Sequence, residues 1–293
     1  MSWAAHQFET YAIQAHLPKR WAGRVSFLAI VIGDQIPDFV AKFWVYGVDI
    51  GGKHYGAAEP FKFHRGWPGA GFSHSLGFAL LLVGLVWWFT RSRSWAAGLL
   101  LGMAAHSITD INDSVGTMLA FPFSTENFSI GTWAYAATPG GKYLDARAYY
   151  SSFGFVMDAA WLAILLMTPK VLSERYWRDV VVPADAKVWG WLGRRCPERV
   201  LLAIYRATFF YGVTRMIAWT GWAHVLDPDP LRGWDLTWTG PDWIPAFELS
   251  DLSPWVALAV ALAFATAIVL SVGRILRPAA DDDPNVDPVT LAD

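Results

Sequence analysis

The sequence predicts an all-α fold: a polytopic helical membrane protein of about five to six transmembrane helices, with candidate metal-site residues at the outer helix ends. Three observations carry that expectation. Apolar residues make up 54% of the 293-residue chain and charged residues only 16%, with a mean hydropathy of +0.29, a balance unlike that of an ordinary water-soluble domain. Eighteen Trp are far more than a soluble chain of this length carries, and the indole ring collects where hydrocarbon meets a wet headgroup layer. Leu252 to Gly273 runs for twenty-two residues without a charge before Arg274 and Arg277. At ~1.5 Å per helical residue it covers a hydrocarbon core of ~30 Å.

The remaining spans follow in order. Leu76 to Phe89 is an apolar run of fourteen residues, extendable upstream through Phe72 and closed by Arg91 and Arg93. Trp95 to Thr109 comes after a very short basic turn, which predicts an antiparallel helical hairpin. Ala148 to Pro169 is apolar except for Asp158, and a lone carboxylate in a span faces the bundle interior or a wet cavity. Trp21 to Gly33 is short and Val200 to Trp222 carries Arg206 and Arg215; each reads either as a tilted span or as a helix lying in the interface. Sorting Lys and Arg over the two faces of a six-span arrangement puts fourteen on one face and seven on the other. The positive-inside bias then predicts that both termini are cytoplasmic. Residues 278–293, with Asp281 to Asp283 and little apolar content, read as a disordered acidic tail. The first segment holds Glu9 and no continuous apolar core, unlike a cleavable signal peptide, so internal segments are expected to enter the membrane.

Composition also narrows the chemistry. A net charge of −2 and a pI near 6.4 supply no basic field, which argues against nucleic acid as a partner. The single cysteine, Cys196, excludes an internal disulfide and a cysteine-based zinc cluster, so a metal site would use His and carboxylates. No phosphate-cradling glycine loop, serine-hydrolase elbow or dinucleotide fingerprint is present.

Under this topology His54, His64, His74, His106 and His224 fall on the face opposite the basic loops, together with Asp34, Asp38, Asp110 and Asp113. His106 and Asp110 stand i, i+4 on an apolar helix, so both project from one face one turn apart and can share an ion, with Asp113 a turn further on. The bland alternative is a buried hydrogen-bonded pair. In Gly33-Asp34-Gln35-Ile36-Pro37-Asp38-Phe39, Pro37 predicts a break in the helix. Such a break either aims a carboxylate inward or lets Asp34 or Asp38 cap a following helix, Phe39 to Tyr46. Phe63-His64-Arg65-Gly66 and Phe72-Ser73-His74-Ser75 flank a Gly and Pro loop, Trp67 to Gly71. His74, at a helix entry, can bind metal through one ring nitrogen and donate the other to a backbone carbonyl. Arg65 suits an anionic group such as phosphate, or a lipid headgroup. His6 and His16 precede Lys19, Arg20 and Arg24 and so sort to the wrong face unless the first segments fold back as a hairpin. His224 lies in a Trp- and Pro-rich stretch that reads as an interfacial loop or lid.

These motifs resemble those of the bacterial membrane-bound metal-dependent hydrolase superfamily, inner-membrane proteins whose motif order is similar to that of zinc-dependent phospholipase C. The matching residues are His106 and Asp110 followed by Gly116 and Pro122-Phe123-Ser124; Pro37-Asp38; His74 in Ser73-His74-Ser75; His64-Arg65-Gly66; and His6. Residues 1–125 carry the resemblance as a membrane-embedded core, residues 126–277 add transmembrane helices and a Trp-rich loop, and the tail follows. The chain departs from the pattern where Trp67 to Phe72 separate His64 from His74, and at Val40, where many members place a second acid; Asp34 is the candidate substitute. The resemblance implies a multi-pass protein of the bacterial inner membrane with its site on the outer face. It implies one or two Zn2+, or another divalent transition metal, on His106, Asp110, His74 and Asp38, with His64 and His6 as further candidates. Arg65 would then stabilise a developing anion, and Asp34 and Asp113 would serve as supporting partners or general base. Its expected substrate is a phosphoester or another amphiphilic, lipid-like molecule at the membrane interface, with membrane lipids as partners. The contrasting class is a non-enzymatic polytopic membrane protein, a transporter or assembly factor whose polar cluster binds an ion. Asp158, Arg206 and Arg215 speak for it, and the lack of paired broken helices or an inverted repeat against it.

Overall fold

Serine caps set the helix boundaries of the core. The computed structural model describes residues 3–46, 48–56, 64–113, 115–130, 153–167 and 169–221, with Thr266 and Leu270. Helix α1, Trp3–His16, is followed by the short turn α2, Lys19–Ala22, and by α3, Phe27–Tyr46. The Ser26 hydroxyl accepts from the Ala29 amide at 2.9 Å, which starts α3 at Phe27 rather than at Trp21 as expected. A small antiparallel hairpin follows, β1 (Val48–Ile50) with β2 (Lys53–Tyr55), in register Asp49 to His54. A 3-10 turn, Ala70–His74, leads into α4, Leu76–Thr90, which Ser75 caps by accepting from Phe78 at 3.0 Å. Arg91 closes α4 in the left-handed region (φ 55°), and Ser92 caps α5, Arg93–Asp110. This is the antiparallel hairpin that the short basic turn predicted. Beyond it lie α6, Phe153–Met167, a run of short helical turns from Pro169–Leu172 to Val182–Ala184, α7, Ala186–Gly193, and α8, Glu198–Gly221.

The described residues are therefore mostly helical, as predicted, with one minimal hairpin added. Two expectations about the first segments need correction. Helix α3 does not break at Pro37 but runs through it, so neither Asp34 nor Asp38 caps a separate helix. An internal proline costs a helix about 3 kcal/mol, and the packing of α3 along α5, its most extensive neighbour, offsets that cost. His6 does not sort with the basic loops either. Helix α1 packs back against α3, α6 and α8 with its amino end beside Asp34, so the first segments form the hairpin alternative.

Small residues make the α3–α5 approach close. A Cβ on Gly98 would lie 2.6 Å from the Ser26 carbonyl oxygen, one on Gly33 2.6 Å from that of Leu99, and one on Gly102 would overlap that of Ile30. Gly98-x-x-x-Gly102 is thus a small-residue seam that lets two backbones meet. The apolar core sits beside it, where Phe8 and Tyr11 of α1, Phe27 of α3 and Tyr205 and Phe209 of α8 interlock edge to face or tilted, with ring centroids 4.9–5.9 Å apart.

Among the described residues one helix, Glu198–Ala218, is long and apolar enough to cross a membrane, while Leu76–Thr90 and Met157–Leu166 are apolar but shorter. Leu80, Leu81, Trp88 and Phe89 of α4 are exposed. The expected span Leu252 to Gly273 (but for Thr266 and Leu270), the Trp-rich loop with His224 and the acidic tail lie outside the described residues.

Candidate metal centre

Four elements deliver side chains to one end of the helix bundle. The 3-10 turn brings His74, α3 brings Asp34 and Asp38, α5 brings His106 and Asp110, and α1 brings His6, all buried. His106 Nε2 lies 3.2 Å from Asp110 Oδ2 and 3.9 Å from Asp38 Oδ1. His74 Nε2 lies 3.6 Å from Asp38 Oδ1 and 3.8 Å from Asp110 Oδ2. One ligand atom from each of Asp38, His74, His106 and Asp110 falls within 4.8 Å of all the others, a spacing that one ion can bridge. His74 Nε2 and both ring nitrogens of His106 are buried and make no hydrogen bond. Buried polar atoms normally find a hydrogen-bond partner, so the Nε2 atoms of His74 and His106, which have none and face the carboxylates of Asp38 and Asp110, fit a bound cation.

The ring of His74 is set for that role. The Ser73 hydroxyl donates to the Pro37 carbonyl at 3.0 Å, so its oxygen is free to accept from His74 Nδ1 at 3.1 Å. The proton then sits on Nδ1 and the Nε2 lone pair faces Asp38 and Asp110. Burial first, and then the charge of Arg65, push the His74 imidazole well below its usual pKa, so it is neutral at pH 7. The expected donation to a backbone carbonyl is thus made through a serine.

His64 joins His74 despite the intervening loop. Its Nε2 is 3.2 Å from Asp38 Oδ1 and the two rings are 5.5 Å apart. Arg65 is buried; it donates through Nη2 to Asp110 Oδ2 and through Nη1 to the Gly116 carbonyl at 3.2 Å. Gly116 adopts φ 66°, and a Cβ there would collide with the Phe128 carbonyl, so that position requires glycine. Asp113 Oδ1 accepts from the amides of Val115 (3.0 Å) and Gly116 (2.7 Å), while its Oδ2 is 3.8 Å from Arg65. Burial raises the Asp113 pKa above the ordinary carboxylate value.

Asp34 and His6 lie on the far side of His106. Asp34 Oδ2 accepts from Gln35 at 2.6 Å, and its Oδ1 is 3.4 Å from His6 Nδ1 and 3.8 Å from His106 Nδ1. Sequence reasoning passed over Glu9, which is buried in α1, accepts from Thr109 Oγ1 at 3.2 Å and lies 3.3 Å from His6 Nδ1. The available signal was His6-x-x-Glu9, one helical turn on one face. His16 is outside the cluster and bonds the Ala12 carbonyl at 2.8 Å, and Phe123 of the Pro122-Phe123-Ser124 element is exposed.

Residues 1–177 match the family model of the YdjM inner membrane protein. The chain belongs to that family. It is accordingly an inner-membrane protein, as the resemblance implied. The YdjM match continues past residue 125, where the motifs end, through α6, the helix that packs against α1 and so supports His6. No curated protein and no solved structure matches the chain.

Proposed function

We propose that the chain is a membrane-bound metal-dependent hydrolase, acting on a phosphoester or another amphiphilic, lipid-like substrate at the membrane interface. Asp38, His74, His106 and Asp110 hold its divalent cation. The observation that carries this reading is the pair of buried Nε2 atoms of His74 and His106, which make no hydrogen bond and face the carboxylates of Asp38 and Asp110. Two imidazoles and two carboxylates suit zinc, and also iron or manganese. Such an ion lowers the pKa of bound water toward ~7 and polarises a carbonyl or phosphoryl oxygen.

The chain's own groups divide the supporting work. Ser73 fixes the His74 ring, and His64 holds Asp38 through its Nε2. Arg65 donates through Nη2 to Asp110 and through Nη1 to the Gly116 carbonyl, so it orients a ligand, and its charge would also stabilise a developing anion beside it. Asp113 fixes the loop that presents the Gly116 carbonyl. The transporter alternative loses part of its support. Arg206 donates to the Leu172 carbonyl at 2.8 Å, tying α8 to the turn after α6, and Arg215 donates to the Tyr211 hydroxyl at 2.8 Å one turn away.

The test is elemental mass spectrometry on the detergent-purified chain beside a His106→Ala variant. A stoichiometric transition metal that disappears in the folded variant supports the centre, and hydrolysis of phosphoester lipids by the loaded wild type supports the activity. A folded wild type purified without chelator and free of metal would overturn both.

A further inference from the structure

The cluster extends beyond the four residues of the first ion position, and the extension has its own chemistry. The rings of His6 and His106 stack at 3.9 Å between centroids with only 11° between their planes. Their Nδ1 atoms both face Asp34 Oδ1, at 3.4 and 3.8 Å, and their Nε2 atoms face Asp110, at 3.6 and 3.2 Å. His106 Nδ1 and Asp34 Oδ1 are buried and make no hydrogen bond. A neutral imidazole whose only task was to bind one ion through Nε2 would donate Nδ1–H to a partner at hydrogen-bond distance, and Asp34 stands too far off at 3.8 Å. One ligand atom from each of His6, Asp34 and His106 falls within 4.8 Å of the other two.

Charge points the same way. Glu9, Asp34, Asp38 and Asp110 are buried around these rings, Asp113 is buried beside Arg65, and Arg65 is the only buried Lys or Arg among the described residues. With neutral imidazoles, five carboxylates against one guanidinium leave a formal side-chain charge of −4. Uncompensated charge at such depth is expensive. One divalent cation leaves −2, and a second, entering as His106 loses its last N–H proton, leaves −1.

We propose that His6, Asp34 and the Nδ1 edge of His106 hold a second divalent cation, so that the His106 ring stands between two ions. The inference rests on the first position being a metal site, and it adds to that reading the number of ions and the task of the amino-terminal helix. When the second ion enters, the His106 ring gives up its remaining N–H proton to solvent and coordinates through both nitrogens. Glu9, 3.3 Å from His6 Nδ1 and held by the Thr109 hydroxyl, backs the new position with a further negative charge.

Three chains decide it, each full length in detergent: wild type, Asp34→Asn and His6→Gln, loaded with Zn2+ and counted by elemental mass spectrometry. We expect two ions per wild-type chain and one in each variant. A second measurement reads the shared ring directly. Two Cu2+ ions sharing one ring couple magnetically, so the doubly loaded wild type should give a coupled electron paramagnetic resonance spectrum and Asp34→Asn that of an isolated ion. One ion in the wild type, two in either variant, no ion in variants that remain folded, or two uncoupled Cu2+ ions would each overturn the second position. One ion in the wild type that disappears only in His106→Ala would leave the first position standing, whereas a metal-free wild type would remove both.

Discussion

Each end of the helix bundle buries carboxylates, and the two ends treat them differently. Where α3 and α5 begin, Asp185 accepts from the Ser26 hydroxyl and, at 3.1 Å, from the Leu28 amide, so each oxygen has a donor. That contact ties the turn before α7 to the start of α3. Around it, the Tyr205 hydroxyl donates to the Val171 carbonyl at 2.6 Å and Tyr11 to that of Tyr205. At the opposite end, Asp34 and Asp38 face imidazole nitrogens that have no hydrogen-bond partner. A buried polar group whose valences are met stabilises the architecture, while an array with valences left over costs stability unless something binds. Burial alone marks neither; what differs is whether the groups facing these carboxylates donate to them, as Ser26 and Leu28 do to Asp185.

The largest expected effect tests whether the seam between α3 and α5 serves the site end. In Gly102→Ala the new Cβ meets backbone atoms of Ile30, Gly33 and Asp34, which cannot rotate away. The helices must part, at a cost of ~1–3 kcal/mol, and Asp34 and Asp38 move away from His106 and Asp110. We expect a lowered Tm and near-complete loss of bound metal. Gly190→Ala, in α7 with nothing within 4 Å of the new Cβ, should leave metal content unchanged and cost no stability. Equal metal retention in both variants would break the link between the seam and the site.

Much of the site end was legible because its signals are local. His106 and Asp110 share a helix face, and the α4–α5 hairpin follows from Arg91-Ser92-Arg93 between two apolar runs. What was not legible depends on partners distant in sequence. Pro37 reads as a helix break until α5 is packed against it, and charge sorting misplaced His6 because it treats the chain as alternating spans and has no term for a helix that folds back. Gly98-Leu99-Leu100-Leu101-Gly102 was visible but blended into an apolar run, although its spacing is that of a close helix contact. Glu9 read only as an interruption in an apolar stretch; its partners are Thr109 and His6.

A smaller effect is expected at Ser73. Ser73→Ala removes the acceptor for His74 Nδ1 without touching a ligand atom. Loss of such a support lowers metal affinity by about 10–100-fold, to be read by competition with a chromophoric chelator, with little change in Tm. The same ring sets an acid limit. A free imidazole titrates near pH ~6.5, and that of His74 is held well below this by burial and Arg65. As pH falls, the unfolded chain takes up the proton first, so the metal-free protein should lose stability below about pH 6.5, by up to ~1.4 kcal/mol per pH unit from this group. A flat thermal-unfolding profile from pH 7 to 5 would show that His74 is already protonated or unburied.

The smallest effect on bound metal belongs to the Asp185 end. Burial raises the Asp185 pKa above its ordinary 3.8 despite the Ser26 and Leu28 donors. A carboxyl whose folded pKa is raised contributes stability below the unfolded pKa and loses it as pH rises through the folded one, so at pH 7 the wild type carries the cost of a buried charge. Asp185→Asn removes that charge and keeps one acceptor oxygen. It should lie within ~1 kcal/mol of wild type at pH 7 and gain on it between pH 4 and 7. Asp185→Ala leaves the Ser26 and Leu28 donors without an acceptor and should lose ~1–3 kcal/mol. Neither should change metal content. If Asn costs as much as Ala, the negative charge itself holds the start of α3, and if either releases metal, the two ends are coupled through α3 and are not the separate regions that their hydrogen bonding describes.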